Sequence, residues 1–314
     1  MESNSTKNLV FGIFLTLLAY FLISVMSSLV KLLGTDMPTM EIILFMNLIP
    51  LLCLLPAILK KPLSSLKPIA LTPHLIRDLG GIGSFFTYFF AIKYIGIIDA
   101  TTLSYSSPFF IPIIWRIWAK EKIEKEVWWA ICLGFIGILF ILKPGITIFQ
   151  LASFIGILSA LCSALALSAL AYLNKKNENL TNTVFYNFLV GFLIALPIVF
   201  FFWKTPSFLQ FSILISIGIL SFLIQILLTK AYKHGTAAFL SPLSYSMIIY
   251  TALISWLFFK SPPGWFSLLG MLFVIVGGVT TYVLTKKPKN IVEAFEADNI
   301  HRKIPWWKFW KKRD

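Results

Sequence analysis

Ten apolar segments, most of them about 20 residues long, run through the chain and are joined by short polar connections. A helix of about that length crosses the roughly 30 Å hydrocarbon core of a bilayer, and the alternating polarity that marks membrane barrel strands is absent. Hydrophobic residues make up 58% of the 314, more than a soluble protein can cover with polar surface. We therefore predict an all-α polytopic membrane protein with ten transmembrane helices. The predicted spans are residues 9–30, 41–59, 75–94, 97–118, 127–143, 152–173, 182–202, 211–232, 236–259 and 265–285.

The net charge of +14 is distributed unevenly between the two sides of these spans. With the N-terminus in the cytoplasm, the cytoplasmic side holds 22 Lys and Arg residues and the opposite side holds 5. The positive-inside rule then places both termini in the cytoplasm, and a bacterial inner membrane is the expected location. The basic charge is a topology signal, so nucleic acid is not a predicted partner. The five lysines of the opposite side are Lys31, Lys93, Lys143, Lys204 and Lys260.

The tetrapeptide Leu-Ser-Tyr-Ser occurs twice, at 103–106 and 243–246, which is an offset of 140 residues. The same offset relates other pairs, such as Asn47 with Asn187. The chain therefore reads as one five-span unit written twice. Because five is odd, the second unit enters the bilayer from the opposite side, which predicts inverted repeats with a binding site where the halves meet.

This organisation sets the predicted boundaries. A short N-terminus, residues 1–8, precedes a first repeat at 9–143 and a second at 152–285. In the tail, residues 286–314, aromatic side chains alternate with cations, which is typical of anchoring at the headgroups of the cytoplasmic leaflet. A solvated tail is the alternative. The anchoring residues would be Trp306, Trp307, Trp310, Lys311, Lys312 and Arg313.

The two tetrapeptides place matched hydroxyl clusters in spans four and nine. At 1.5 Å per residue, both tyrosines reach close to the middle of the membrane from opposite faces. A hydroxyl at that depth needs an internal partner or water. Hydrogen bonding between helices satisfies that need, but two symmetric clusters favour the lining of a shared cavity. The candidate lining residues are Thr101, Ser104 and Tyr105, and Ser241, Ser244 and Tyr245.

Further candidates carry alternative explanations. Pro108, Pro112 and Pro242 predict hinges or kinks near these clusters, although kinks without functional consequence are the other reading. Gln225 lies in the middle of span eight, where an unpaired amide is costly, and is a candidate substrate contact. Asp99 either faces the substrate or a coupling proton, or caps span four.

Arg77 opens span three and either faces the substrate, snorkels to the interface or pairs with the adjacent Asp78. The chain lacks the sequence patterns of hydrolase, metalloprotease and phosphate-binding sites, and its three cysteines lie in different spans. We therefore expect no enzyme activity, metal or cofactor, and transport driven by gradients or exchange.

The pattern resembles the EamA-like family of the drug/metabolite transporter superfamily over nearly all of residues 9–285. Within it, the chain is most similar to the group of S-adenosylmethionine uptake carriers. The resemblance implies ten helices, a central cavity and alternating access. The stretches that carry it are His74–Arg77, Ala91–Tyr94, Asp99–Ser104, Pro108–Phe109, Glu121, Gly134–Gly137 and Lys143–Gly145, then Gln225, Ala231–Tyr232, Pro242, Tyr245, Trp256–Phe259 and Gly277–Gly278.

The departures from the family pattern are specific. The group often has an arginine where Met46 stands, and acids where Thr236, Ser244 and Ser261 stand. A glutamate in the first helix, which small multidrug antiporters use for proton coupling, is also absent. We therefore predict a secondary transporter of a small polar or amphipathic metabolite, with S-adenosylmethionine or an amino-acid-like compound as candidates. An exporter of drugs or toxic metabolites is the alternative. A membrane enzyme or a non-transporting scaffold is the more remote one.

Overall fold

A computed structural model of the protein describes residues 2–59, 68, 71–118, 125–142, 151–175, 178–234 and 240–285. In these residues it has eleven α-helices, one 3-10 helix and no strand, which confirms the predicted all-α class. The first half of the chain forms α1 (Glu2–Leu33), α2 (Thr39–Leu59), α3 (Leu71–Tyr94), α4 (Ile97–Ser104), α5 (Ser107–Trp118) and α6 (Lys125–Leu142). The second half forms α7 (Leu151–Lys175), α8 (Leu180–Phe202), α9 (Phe208–His234), the 3-10 helix (Ser241–Tyr245), α10 (Ser246–Phe259) and α11 (Trp265–Thr285).

Six of these helices are long and apolar enough to cross a membrane: α1, α2, α3, α7, α8 and α9. Shorter apolar stretches fall in α6, at the 3-10 helix with α10, and in α11. Span four, predicted as one helix over 97–118, is instead divided into α4 and α5. Many large apolar side chains, such as those of Phe200, Phe208 and Phe258, are exposed, as expected for surfaces that face lipid. The count of ten membrane-spanning helices stays a prediction.

The principal packing contacts join the two halves of the chain. Helix α1 packs on α9, α3 on α7, α6 on α11, and α2 on both α8 and α9. Exchanging each helix of one half for its counterpart in the other gives the same pairings, because α1–α9 becomes α7–α3. This pairing is what inverted repeats would produce, and the inversion itself stays a prediction.

Small residues allow α3 and α7 to pack closely. A Cβ on Gly80 would lie 2.9 Å from the carbonyl oxygen of Cys162, so only glycine allows this approach. One turn on, Ser159 Oγ donates to the carbonyl oxygen of Ser84 at 2.9 Å. Such close backbone approach with serine cross-links supplies packing energy in lipid, where the hydrophobic effect between helices is weak.

The contacts define two ends of the helix bundle. At the proximal end, the start of α1 meets the end of α9, where a Cβ on Gly12 would contact Ala231 and His234. At the distal end, Lys31 Nζ at the end of α1 donates to the carbonyl oxygen of Ile92 at 3.1 Å. The predicted topology would place the proximal end in the cytoplasm.

Candidate functional site

Both copies of Leu-Ser-Tyr-Ser lie at breaks in helices. In the first copy, α4 ends at Ser104, Tyr105 follows as its C-cap, and α5 begins at Ser107. Pro108 has no N–H and its ring would collide with the carbonyl of Ser104 in a continuous helix. The hydroxyl of Ser106 donates instead to the carbonyl oxygen of Leu103. The break is therefore closed by the tetrapeptide's own last serine.

The second copy repeats this arrangement. The 3-10 helix ends at Tyr245, α10 begins at Ser246, and Ser246 Oγ donates to the carbonyl oxygen of Leu243 at 2.6 Å. Pro242 lies near the start of the 3-10 helix. Pro112 does not interrupt α5, which continues through it. The side chains of Pro112, Ser241 and Pro242 lie outside the part of the chain whose side chains the structure describes.

The hydroxyls near the breaks differ in their partners. Thr101 Oγ1 lies 2.8 Å from Tyr88 Oη, which donates to Ser27 Oγ at 3.0 Å, so Thr101 joins α4 to α3 and α1. In contrast, Ser104 Oγ and Tyr245 Oη are buried without a hydrogen-bond partner among the described residues. A buried unsatisfied hydroxyl is costly unless another molecule completes its bonds. These two groups are the best candidates for contact with a substrate.

The two tyrosines are not equivalent. Tyr105 is half-buried and packs edge-on against Tyr20 of α1, with ring centroids 6.0 Å apart. Tyr245 is only 3% exposed, and its ring lies directly on Gly278 of α11, where any Cβ would overlap it. Ser244, beside it, is also buried. Tyr105 is therefore partly exposed, whereas the ring and hydroxyl of Tyr245 lie in a slot against Gly278 and a substrate reaches that hydroxyl only when the slot opens.

A cavity of about 240 Å³ opens at the distal end between the halves. Asp99, in the first turn of α4, accepts from Ser267 Oγ of α11 at 2.6 Å. The N-cap residue of α4 is Gly96, so the prediction that Asp99 caps this helix is wrong. Lys31, which charge counting assigned only to the side opposite the cytoplasm, is half-buried and lines the same cavity. The full lining is Lys31, Gly96, Ile97, Ile98, Asp99, Ser255, Phe259, Ser261, Pro262, Pro263, Gly264 and Ser267.

A buried group of charged side chains lies at the proximal end. Arg77, 6% exposed, donates to Asp78 Oδ1 at 2.8 Å and to the carbonyl oxygen of Thr183 at 3.1 Å. His74 Nε2 lies 3.2 Å from Glu178 Oε2, and both side chains are 1% exposed. The guanidinium therefore pairs within the bundle and does not snorkel. Sequence reasoning considered the Arg77–Asp78 pair but missed His74 and Glu178, which come from opposite halves.

Other candidates stand apart from these groups. Gln225 is half-buried in α9, and its backbone carbonyl oxygen accepts a hydrogen bond from Thr229 Oγ1. Glu121 and the tail lie outside the described residues. Glu41, at the start of α2, is fully buried and accepts from the backbone N–H of Lys204 at 3.3 Å. Within the described parts of the chain, His, Cys, Asp and Glu form no group of three or more that could hold a metal ion.

The model of the EamA-like transporter family matches residues 10–143 and 150–283. The chain belongs to this family. The predicted resemblance is thereby confirmed, and the protein is a multi-pass membrane transporter. The EamA-like match covers both halves separately.

Individual EamA-like relatives differ in what they are named for. The chain is 30% identical to the pseudopaline exporter CntI of Pseudomonas aeruginosa over 267 residues, 84% of this chain and 93% of the relative. It is 26% identical to the S-adenosylmethionine uptake transporter of Rickettsia felis over 292 residues, 90% of this chain and 97% of the relative. A protein of known crystal structure shares the fold with a TM-score of 0.62 at 16% identity, over 91% of this chain and 99% of that one.

Proposed function

We propose that this protein is a secondary carrier that moves a small polar or amphipathic metabolite by alternating access. The observation that carries the proposal is the pair of helix breaks at Leu-Ser-Tyr-Ser, each with a buried unpartnered hydroxyl close by, Ser104 Oγ and Tyr245 Oη. Interrupted helices at the interface of two repeats are where secondary transporters bind substrates. Tyr105, which is half-buried, lies beside them.

The two breaks also suit the required movement. Each is closed by a serine of its own tetrapeptide, so neither depends on a neighbouring helix for that bond. The helix pairs on either side can therefore tilt relative to each other with the local hydrogen bond intact. In this account the residues before the breaks move with one bundle, and the residues after them with the other.

The relatives support two kinds of transport. One relative is named as an exporter of pseudopaline, and another as an uptake transporter of S-adenosylmethionine. We therefore place a polar metabolite first and export of drugs or toxic metabolites second. An uptake screen of metabolites in proteoliposomes, with S-adenosylmethionine first and with the same compounds preloaded for efflux, identifies both compound and direction.

Two shape-preserving variants test the binding site. Ser104→Ala and Tyr245→Phe each remove one unpartnered hydroxyl. We expect the transport KM to rise about tenfold for each, the value of one hydrogen bond of about 1.4 kcal/mol. Stability should stay constant or increase, because a buried unsatisfied group disappears. Uptake kinetics and thermal unfolding in detergent measure the two effects.

Tyr88→Phe is the matched control. It removes the same atom from a buried tyrosine whose hydroxyl does bond, to Ser27 and Thr101. That variant should lose about 1–3 kcal/mol of stability, the cost of leaving its partners unsatisfied. An unchanged KM in both Ser104→Ala and Tyr245→Phe, in folded protein, would remove the proposed hydroxyl contacts.

The scaffold alternative is separated from a carrier by the tail. A variant ending at residue 285 lacks the cations and tryptophans proposed to anchor at the cytoplasmic leaflet. A carrier built from the two repeats should keep more than about half of its transport rate per folded molecule, because the tail supplies only interfacial affinity. A scaffold would be favoured if the full chain does not transport and if the variant ending at residue 285 no longer associates with partner proteins that the full chain binds. Sedimentation with anionic vesicles checks the anchoring itself.

A further inference from the structure

We propose that the distal cavity binds the α-amino and carboxylate groups of a zwitterionic substrate, with Lys31 contacting the carboxylate and Asp99 the ammonium group. This assignment rests on the proposed carrier function and specifies its substrate class. The cavity lies between α1 and α4 of the first half and α10 and α11 of the second. A ligand bound in this cavity therefore contacts both halves of the chain.

The charges in this cavity are of opposite sign and few. Lys31 and Asp99 are the charged side chains in its lining, and the remaining polar side chains are the serines Ser255, Ser261 and Ser267. A ligand with a single charge would be attracted by one of these groups and repelled by the other. A ligand with both charges can meet each with its opposite, so the pair selects zwitterions over their singly charged analogues.

Both charged groups have the hydrogen-bonding capacity for this role. A lysine ammonium has three N–H donors, and the bond to the carbonyl of Ile92 uses one of them. Asp99 accepts from Ser267, a neutral hydroxyl that an ammonium group can join or replace as a stronger donor. The Asp99–Ser267 bond joins α4 to α11, so replacing it would also loosen a contact between the halves.

The size and position fit the same ligand class. A volume of about 240 Å³ holds the amino-acid end of a metabolite. The charges come from the first half and the hydroxyls from the second. Lys31 and Asp99 precede the first helix break, whereas Ser255 and Ser267 follow the second. A ligand held between them has different contacts when the bundle before the breaks moves relative to the bundle after them, which is the differential affinity that a transport cycle requires.

The test compares each zwitterion with analogues that lack one charge. The panel is S-adenosylmethionine and the proteinogenic amino acids, including L-methionine with L-methioninamide, which lacks the carboxylate, and 4-(methylthio)butanoate, which lacks the amine. Binding to the purified full-length protein in detergent is measured by tryptophan fluorescence and thermal shift. For each zwitterion that binds, both analogues should bind about 10- to 100-fold more weakly.

The variants assign each charge to its group. Lys31→Met should reduce zwitterion binding about 10- to 100-fold and should not weaken binding of the amide, whose ammonium group is no longer repelled, so that the zwitterion-to-amide preference disappears. Asp99→Asn should abolish the preference over the amine-free acid in the same way. Lys260→Met and Asp36→Asn remove exposed charges outside the cavity lining and should keep the wild-type preferences.

Three outcomes would overturn the assignment. These are no binding by any zwitterion in the panel, equal binding of zwitterion and analogues, or a uniform loss of all ligands in Lys31→Met and Asp99→Asn. The last result would mean that the two side chains only support the local structure. Any of these outcomes together with saturable uptake of a metabolite that is not a zwitterion would retain the carrier function and reject this substrate class alone.

Discussion

Replacing Asp78 with alanine is expected to lower the free energy of unfolding by about 3–5 kcal/mol, because it leaves a buried guanidinium without its counter-charge. Arg77 is 6% exposed and Asp78 is fully buried. The remaining acceptor of Arg77 described by the structure is the carbonyl of Thr183, which is neutral. Chemical or thermal unfolding of the purified protein in detergent measures the loss.

A paired variant separates structure from transport at this position. Arg77→Met with Asp78→Leu removes both charges and should recover most of the stability, since an apolar pair avoids the cost of burying ions. Lys230→Met, which removes an exposed charge on α9, should change stability by less than about 0.5 kcal/mol. If the double variant also keeps transport, Arg77 is not a substrate contact. Recovered stability with abolished transport would restore it as one.

Gly278→Ala is expected to lower both the stability and the transport rate. A methyl group there would overlap the phenol ring of Tyr245, which is buried in the slot that this glycine leaves. The ring must leave its position, and overpacking of this kind costs about 1–3 kcal/mol. Tyr245 is the last residue of the 3-10 helix at the second break, and its hydroxyl is a proposed substrate contact. Transport should therefore fall by at least about tenfold, the effect of losing one hydrogen bond to the substrate.

Compensation tests whether the steric contact is the cause. Gly278→Ala combined with Tyr245→Ala removes the overlap, so its unfolding free energy should be higher than that expected from adding the two single effects. Gly81→Ala is the matched control, because its nearest neighbour would lie at an ordinary 3.7 Å. That control should be neutral or stabilising by up to about 1 kcal/mol, since alanine favours helix. Additive effects in the double variant would contradict the slot.

The sequence predicted the helices better than the charged contacts. Apolar length alone indicated α1, α2, α3, α7, α8 and α9, and the prolines indicated disturbance near the two tetrapeptides. That the disturbance divides span four into two helices follows from Pro108 and Ser106 together, since the serine offers the carbonyl of Leu103 an alternative partner. Helical periodicity alone does not reveal such competition.

The charged groups show why the rest could not be predicted. Arg77 and Asp78 are adjacent, so their pairing was foreseeable, but Thr183 and Glu178 lie more than 100 residues along the chain from their partners. Likewise, charge counting assigned Lys31 to one side of the membrane but gave no information on which face of the helix carries it. Only the packing of α1 beside α4 and α10 brings it to the same cavity as Asp99.

The packing of each first-half helix on a second-half helix has a consequence for biogenesis. When α1 and α3 enter the bilayer, the helices that will cover them, α9 and α7, have not yet been synthesised. Until α7 and α8 are inserted, Arg77 and the surface of α3 around Gly80 lack their partners and are in contact with the translocation machinery or with lipid. The first half is therefore an unfinished insertion intermediate, and assembly becomes cooperative only once the second half has been translated.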